Sequence, residues 1–158
     1  MKPMTPRPLE WTDIAPVRAS RSRRIAAPSD AVWAAVADHE GWVRWFPNMT
    51  KVEPGDPAEG VGGTRTVHVG TALAAEEEFL AWDPGSRFAF TLVGASRPGL
   101  RSMNEDVRIT PDGPTACTVT YTMGLDLPGG RYLRPVLAPV LRKVIGDGLA
   151  GLAAHVGG

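Results

Sequence analysis

Apolar positions follow two different periods along this chain. From Arg131 to His155, with Val156 just beyond, Leu133, Val136, Leu137, Val140, Leu141, Val144, Ile145, Leu149 and Leu152 recur at three- and four-residue spacing, which predicts one long amphipathic helix. Pro139, Gly146, Gly148 and Gly151 interrupt it, at a cost of about 1 kcal/mol per Gly and about 3 kcal/mol for an interior Pro, so each needs a structural reason. Upstream the period is two. Alternation predicts strands over Val17–Ile25, Lys51–Glu53, Thr64–Val69, Ala72–Trp82, Arg87–Val93, Ser102–Thr110 and Ala116–Leu127. Between the first two strands, Ser29 reads as the N-cap of a helix over Asp30–Asp38. Gly41 ends that helix, and a second short one, crowded with Trp42, Val43, Trp45 and Phe46, stops at Pro47.

Strands joined by short turns such as Asp83-Pro84-Gly85 make an antiparallel sheet. Each strand has one apolar face, and the last helix is the only element long enough to cover it. The expected class is therefore α+β. At 158 residues the chain forms one domain with one core. Pro3, Pro6, Pro8 and Pro16 set residues 1–16 apart as an N-terminal arm that either wraps the surface or is disordered, in part flexible, before a domain over 17–158.

Charge narrows the function classes. Seventeen basic and seventeen acidic residues cancel, which leaves no net field for nucleic acid or an anionic membrane. The Arg18, Arg21, Arg23 and Arg24 cluster reads as the solvated face of the first strand. A single cysteine, Cys117, fits a reducing compartment, and no segment reaches the ~18 apolar residues of a membrane span. A cytoplasmic protein without stable membrane insertion, a monomer or homodimer, is expected.

His39, His68 and His155 include no pair at ligand spacing, so no metal is expected. Gly60 to Gly63 precede a strand and read as a turn, and there is no nucleophile elbow, phosphate loop or dinucleotide fingerprint, so no cofactor is expected.

The element order, with IAAPSDAVWAAVADHEGWVRWFPNMTKVE, GVGGTRTVHV, EEFLAWDPGSRFAF and the glycine-dotted C-terminal helix, resembles the START-like superfamily of polyketide cyclases and lipid-transport proteins. That resemblance covers roughly residues 18–156, and its motifs mark a fold and not a reaction. It implies a helix-grip fold: a curved antiparallel sheet of about seven strands around the long helix, two short helices after the first strand, and an apolar cavity between sheet and helix. A single cylinder cannot fill a concave surface, so a cavity is also the geometric leftover, and apolar cavities are default ligand sites.

Parity nominates the lining. Val67, Val69, Phe79, Phe90, Met103 and Met123 come from the strands and Val140 and Val144 from the helix, while Trp45, Phe46 and Met49 either form a gate or pack under the sheet edge. Three polar groups share the inward faces. Glu77 and Glu105 have three roles open, a salt bridge at the cavity mouth with Arg65 or Arg101, acid–base work at a raised pKa, or a hydrogen bond to a ligand hydroxyl, while Asp106 and Glu78 face solvent. Tyr121 either donates to a ligand carbonyl or is a core aromatic with a wet tip. Glu77, Glu105 and Tyr121 are thus the catalytic candidates. The expected function is binding, transport or sequestration of a small hydrophobic ligand such as a lipid, polyketide or related aromatic. The alternative is a polyketide aromatase/cyclase or dehydratase using the same cavity.

Overall fold

The computed structural model describes residues 1–157. Eight strands, β1 (Lys2–Pro3), β2 (Val17–Ile25), β3 (Met49–Pro54), β4 (Thr64–Val69), β5 (Leu73–Asp83), β6 (Arg87–Ala95), β7 (Ser102–Pro111) and β8 (Cys117–Asp126), form one antiparallel sheet. Its spatial order is β2-β8-β7-β6-β5-β4-β3, with β1 pairing on β6. Two helices, α1 (Ser29–Ala37) and α2 (Gly130–Val156), complete an α+β helix-grip architecture, and a 3-10 helix over Glu40–Arg44 follows α1.

The strands form where alternation places them. In β8, Cys117, Val119, Tyr121, Met123 and Leu125 are buried on one parity, and Cys117 is a free thiol. Helix α1 starts on its expected cap, one residue before Asp30: Pro28 occupies the N-cap position in extended geometry, and Ser29 Oγ has no hydrogen-bond partner among the described residues. The fixed φ of Pro28 starts the helix without a side-chain cap. The second short helix begins before Gly41, which lies inside its first turn with its N–H bonded to Asp38.

The long helix departs furthest from its sequence pattern. Its apolar stripe is continuous, but only the second half is covered: Ile145, Leu149 and Leu152 are buried, whereas Leu133, Val136 and Val140 are exposed. Each covered side chain contributes about 1.5–3 kcal/mol. The second half is fixed by close approach. A methyl group at Gly148 would lie 3.2 Å from the Phe46 ring, and one at Gly151 would strike the Trp45 backbone carbonyl. These glycines let α2 lie directly on the Trp45–Pro47 corner. Pro135 and Pro139 belong to the uncovered first half, where no neighbouring layer depends on an unbroken cylinder.

The outer face of the sheet is not wholly wet either. Residues 4–13 run across β6–β8, where Asn104 Nδ2 donates to the Pro8 carbonyl (3.0 Å) and to Thr12 Oγ1 (3.1 Å), and Arg7 Nε donates to Ser102 Oγ (3.0 Å). This cover corrects the expectation for Asp106. It has the outward parity but is 2 % exposed, held by both Arg87 (2.8 Å) and Arg108 (3.1 Å). Glu78 does face solvent.

Candidate functional site

Sheet and helix separate around a cavity of about 250 Å³. Its walls are almost entirely apolar. Strands β4 to β8 supply Val67, Val69, Leu73, Ala75, Phe90, Leu92, Met103 and Met123, α2 supplies Leu141 and Val144, and the Glu40–Arg44 turn and its exit supply Trp42, Phe46 and Met49. Leu73 is the most exposed of these, and Val69, Met103, Leu141 and Val144 are half-buried, so the mouth opens between the β4–β5 turn, the start of β7 and α2.

Four polar side chains stand in the apolar wall: Arg65, Glu77, Glu105 and Tyr121. Their placement follows from strand register. Arg65 pairs with Glu77 across β4–β5, and Glu105 on β7 lies between Phe90 and Met123. Arg65 Nε donates to Glu77 Oε2 at 2.5 Å in a fully buried ion pair. Glu77 is the counter-charge that the buried Arg65 guanidinium requires. The guanidinium lies 4.2 Å from the Trp42 ring centroid, with Phe88 and Phe90 also within cation–π reach, and its Nη2 has no hydrogen-bond partner among the described residues.

Behind the ion pair, Arg65 Nη1 meets His39 Nδ1 at 3.4 Å, and His39 Nε2 meets the Ala58 carbonyl at 2.7 Å. A carbonyl only accepts, so the ring carries its proton on Nε2 and accepts through Nδ1. Burial first, and the Arg65 charge second, lower the His39 pKa. On the other side Tyr121 donates its hydroxyl to Glu105 Oε1 in a short hydrogen bond. Burial, reinforced by the Glu77 charge, pushes the Glu105 pKa up to about 7, although Tyr121 and Arg65 pull it down. Burial raises Glu77 as well, against the pull of Arg65, and lifts Tyr121 well above its ordinary value. Near neutrality Glu105 thus exists both as a carboxylic acid and as a carboxylate.

A linkage consequence follows. Glu105 binds its proton more tightly in the folded chain, from a reference value of 4.5 to about 7. Its contribution to stability is therefore complete below about pH 4.5 and is lost as pH rises through about 7. Glu105→Gln is expected to abolish that part of the slope. The stability difference between wild type and variant, from urea melts across this window, should shift against wild type as pH rises; a constant difference would refute the raised pKa.

Most residues expected to line the cavity come together here. Phe46, Met49, Val67, Val69, Phe90, Met103, Glu105, Tyr121, Met123 and Val144 all do, and Glu77 joins them. Three do not. Trp45 is buried beside the cavity, its ring 4.3 Å from that of Trp42 and its carbonyl beneath Gly151, so it wedges the turn against α2. Phe79 has the right parity but lies deeper than Arg65, in a cluster with His39, Trp82 and Phe88. Val140 is 54 % exposed, because the helix turns Leu141 and Val144 inward and leaves Val140 outward. Of the two proposed partners for a buried carboxylate, Arg65 is used and Arg101 is not: Arg101 lies near Asp126 at the surface.

Arg65, Leu73, Ala75, Leu92, Leu141 and Trp42 were missed as lining residues. Parity carries the signal for the first four, since Arg65 alternates with Val67, Ala75 with Glu77, and Leu92 with Phe90. Trp42 depends on the turn geometry and had no such signal. Among the described residues no group of three or more His, Cys, Asp or Glu side chains could hold a metal ion, and no helix is long and apolar enough to cross a membrane.

A helix-grip fold around an apolar cavity with a few buried polar groups defines a START-like protein. The chain belongs to the polyketide cyclase / dehydrase and lipid transport family, whose model matches residues 16–157. It is 30 % identical over 143 residues to the uncharacterized protein Rv2574 of Mycobacterium tuberculosis, covering 87 % of this chain and 85 % of that protein. Among solved structures it is similar to the Zhui aromatase/cyclase of Streptomyces sp. R1128, with a TM-score of 0.69, 21 % identity, and 88 % and 92 % of the two chains covered. A START superfamily protein of Mycobacterium smegmatis gives a TM-score of 0.63 at 17 % identity, covering 87 % and 92 %. At these identities the two structures establish the shared fold.

Proposed function

We propose that this protein binds a compact hydrophobic molecule in the cavity, with a polar end of the ligand at Glu105. The observation that carries this reading is a cavity of about 250 Å³ with apolar walls and a buried carboxyl group on one side. Its size constrains the ligand. A cavity of about 150 Å³ accepts benzene, and drug-sized ligands fill about 300–1,000 Å³, so a one- or two-ring aromatic or a short chain fits within it. A longer lipid or polyketide would extend through the mouth past Leu73 and Met103. Tyr121 occupies one oxygen of Glu105, which leaves the other for a ligand hydroxyl or carbonyl, as acceptor or donor according to protonation.

The test compares 2-naphthol with naphthalene by calorimetry. Both are expected to bind, and Glu105→Gln should weaken 2-naphthol by about fivefold to tenfold while leaving naphthalene unchanged, the size of one lost hydrogen bond. Val67→Trp, which fills the cavity, should abolish binding of both. Binding that survives Val67→Trp would place the ligand elsewhere.

One observation favours a second reading, acid–base catalysis of cyclisation or dehydration. Glu105 titrates near the pH at which a general acid or base works best, inside a site that excludes water. Under this reading Glu105→Gln keeps affinity for an aromatic polyketide-like substrate and loses its turnover; equal turnover by both proteins would remove it.

A further inference from the structure

The antiparallel order gathers three connections at one end of the sheet: the β4–β5 turn, the β6–β7 loop and the passage from β8 into α2. Backbone bonds hold them in place, Ser96 N donating to Ala74 O (2.8 Å) and Arg101 N to Asp126 O (2.8 Å). The cavity mouth, with Leu73 and Met103, opens at this end. Exposed apolar side chains surround it: Leu73, Leu100, Tyr132, Leu133, Val136 and Val140. Tyr132, Val136 and Val140 stand four residues apart, on one face of α2, at 85, 66 and 54 % exposure.

Charge is segregated along the same axis. Arg97, Arg101, Arg131, Arg134 and Arg142 are exposed on the β6–β7 loop and α2, and no Asp or Glu occurs between Leu127 and Gly146. Asp126, the carboxylate that precedes this stretch, lies between Arg7 (3.9 Å) and Arg101 (4.0 Å). The connections at the opposite end of the sheet carry Asp56, Glu59 and Asp112, the last paired with Arg24 (2.6 Å). A chain of zero formal net charge therefore keeps an excess of arginine at the end with the cavity mouth.

We propose that this end of the molecule is a docking face for an anionic lipid bilayer, with the first half of α2 lying in the headgroup region and the cavity mouth turned toward the lipid. The face has the composition such contact requires, an apolar line on a helix that also carries exposed arginines. Charge complementarity selects the bilayer over a second copy of this chain. Pairing two such faces would bring their arginines together without counter-charge, whereas anionic headgroups supply it. The proposal concerns the outer surface and stands independently of whether the cavity holds a ligand.

The test is sedimentation of the full chain with vesicles of phosphatidylcholine alone or mixed with phosphatidylglycerol, at low and high salt. Binding is expected on the mixed vesicles at low salt and should fall as salt rises. Arg131→Ser and Arg142→Ser should each weaken it about fivefold. Val136→Asp with Val140→Asp should abolish it; thermal melts and 2-naphthol binding serve as controls for folding. Failure to bind mixed vesicles at low salt, or binding that all these variants retain, would overturn the proposal. Self-association of the lipid-free protein abolished by Val136→Asp would overturn it too, by assigning the face to contact between copies.

Discussion

Arg65→Met is expected to destabilise the protein by about 3–5 kcal/mol at neutral pH, because it leaves Glu77 buried without its counter-charge. The loss is not a measure of what the ion pair contributes. Adding Glu77→Gln to Arg65→Met should recover most of it, since a neutral amide opposite an apolar side chain removes the isolated charge. Acid should also rescue the single variant, because an unpaired Glu77 takes up a proton and the penalty shrinks as it does. Urea melts of the single and double variants at neutral and mildly acid pH check all three statements. A double variant no more stable than the single one would show that Arg65 acts through its packing on Trp42, Phe88 and Phe90 instead.

Trp42→Ala is expected to cost a similar amount, about 3–5 kcal/mol for a buried aromatic. Trp42 is 1 % exposed, donates Nε1–H to the Val36 carbonyl at 2.8 Å, and lies under the Arg65 guanidinium. Truncation removes the hydrogen bond, the cation–π contact and one wall of the cavity together. Trp42→Phe keeps an aromatic face without the indole donor, so it should lose much less in the same denaturation measurement. Equal losses for both substitutions would assign the effect to the Val36 hydrogen bond and not to the ring.

The strands from β2 onward and the fold class were legible because alternation over Thr64–Val69 or Cys117–Asp126 is a direct imprint of one buried face, whereas the pairing of β2 with β8 and of β1 with β6 leaves no local pattern. The same parity placed Glu77, Glu105 and Tyr121 at the cavity. Arg65, expected at the cavity mouth as one possible partner of a carboxylate, obeys that parity equally, and its pairing with Glu77 and stacking on Trp42 make its full burial tolerable. Asp106 illustrates the converse: its outward direction was legible, but the place where the N-terminal arm docks, with residues 4–13 across β6–β8, was not. Local pattern also could not divide the last helix. Leu133, Val136 and Val140 repeat like Ile145, Leu149 and Leu152, yet only the second set meets the sheet. Totals concealed the charge distribution in the same way, since seventeen and seventeen balance in sum while residues 127–146 carry basic side chains and no acidic one.

The contact of Gly151 with the Trp45 carbonyl has a mechanical consequence. It fixes α2 near its C-terminal end, while the other end is tied to the sheet through β8, the buried Gly130 and the Arg134–Pro16 hydrogen bond (2.9 Å), which makes the helix a beam held at both ends. Bowing the uncovered span between the two supports would disturb Leu141 and Val144 at the cavity edge and leave Ile145, Leu149 and Leu152 seated. Passage into the cavity would then load one span of the helix and not the core that determines whether the chain is folded at all.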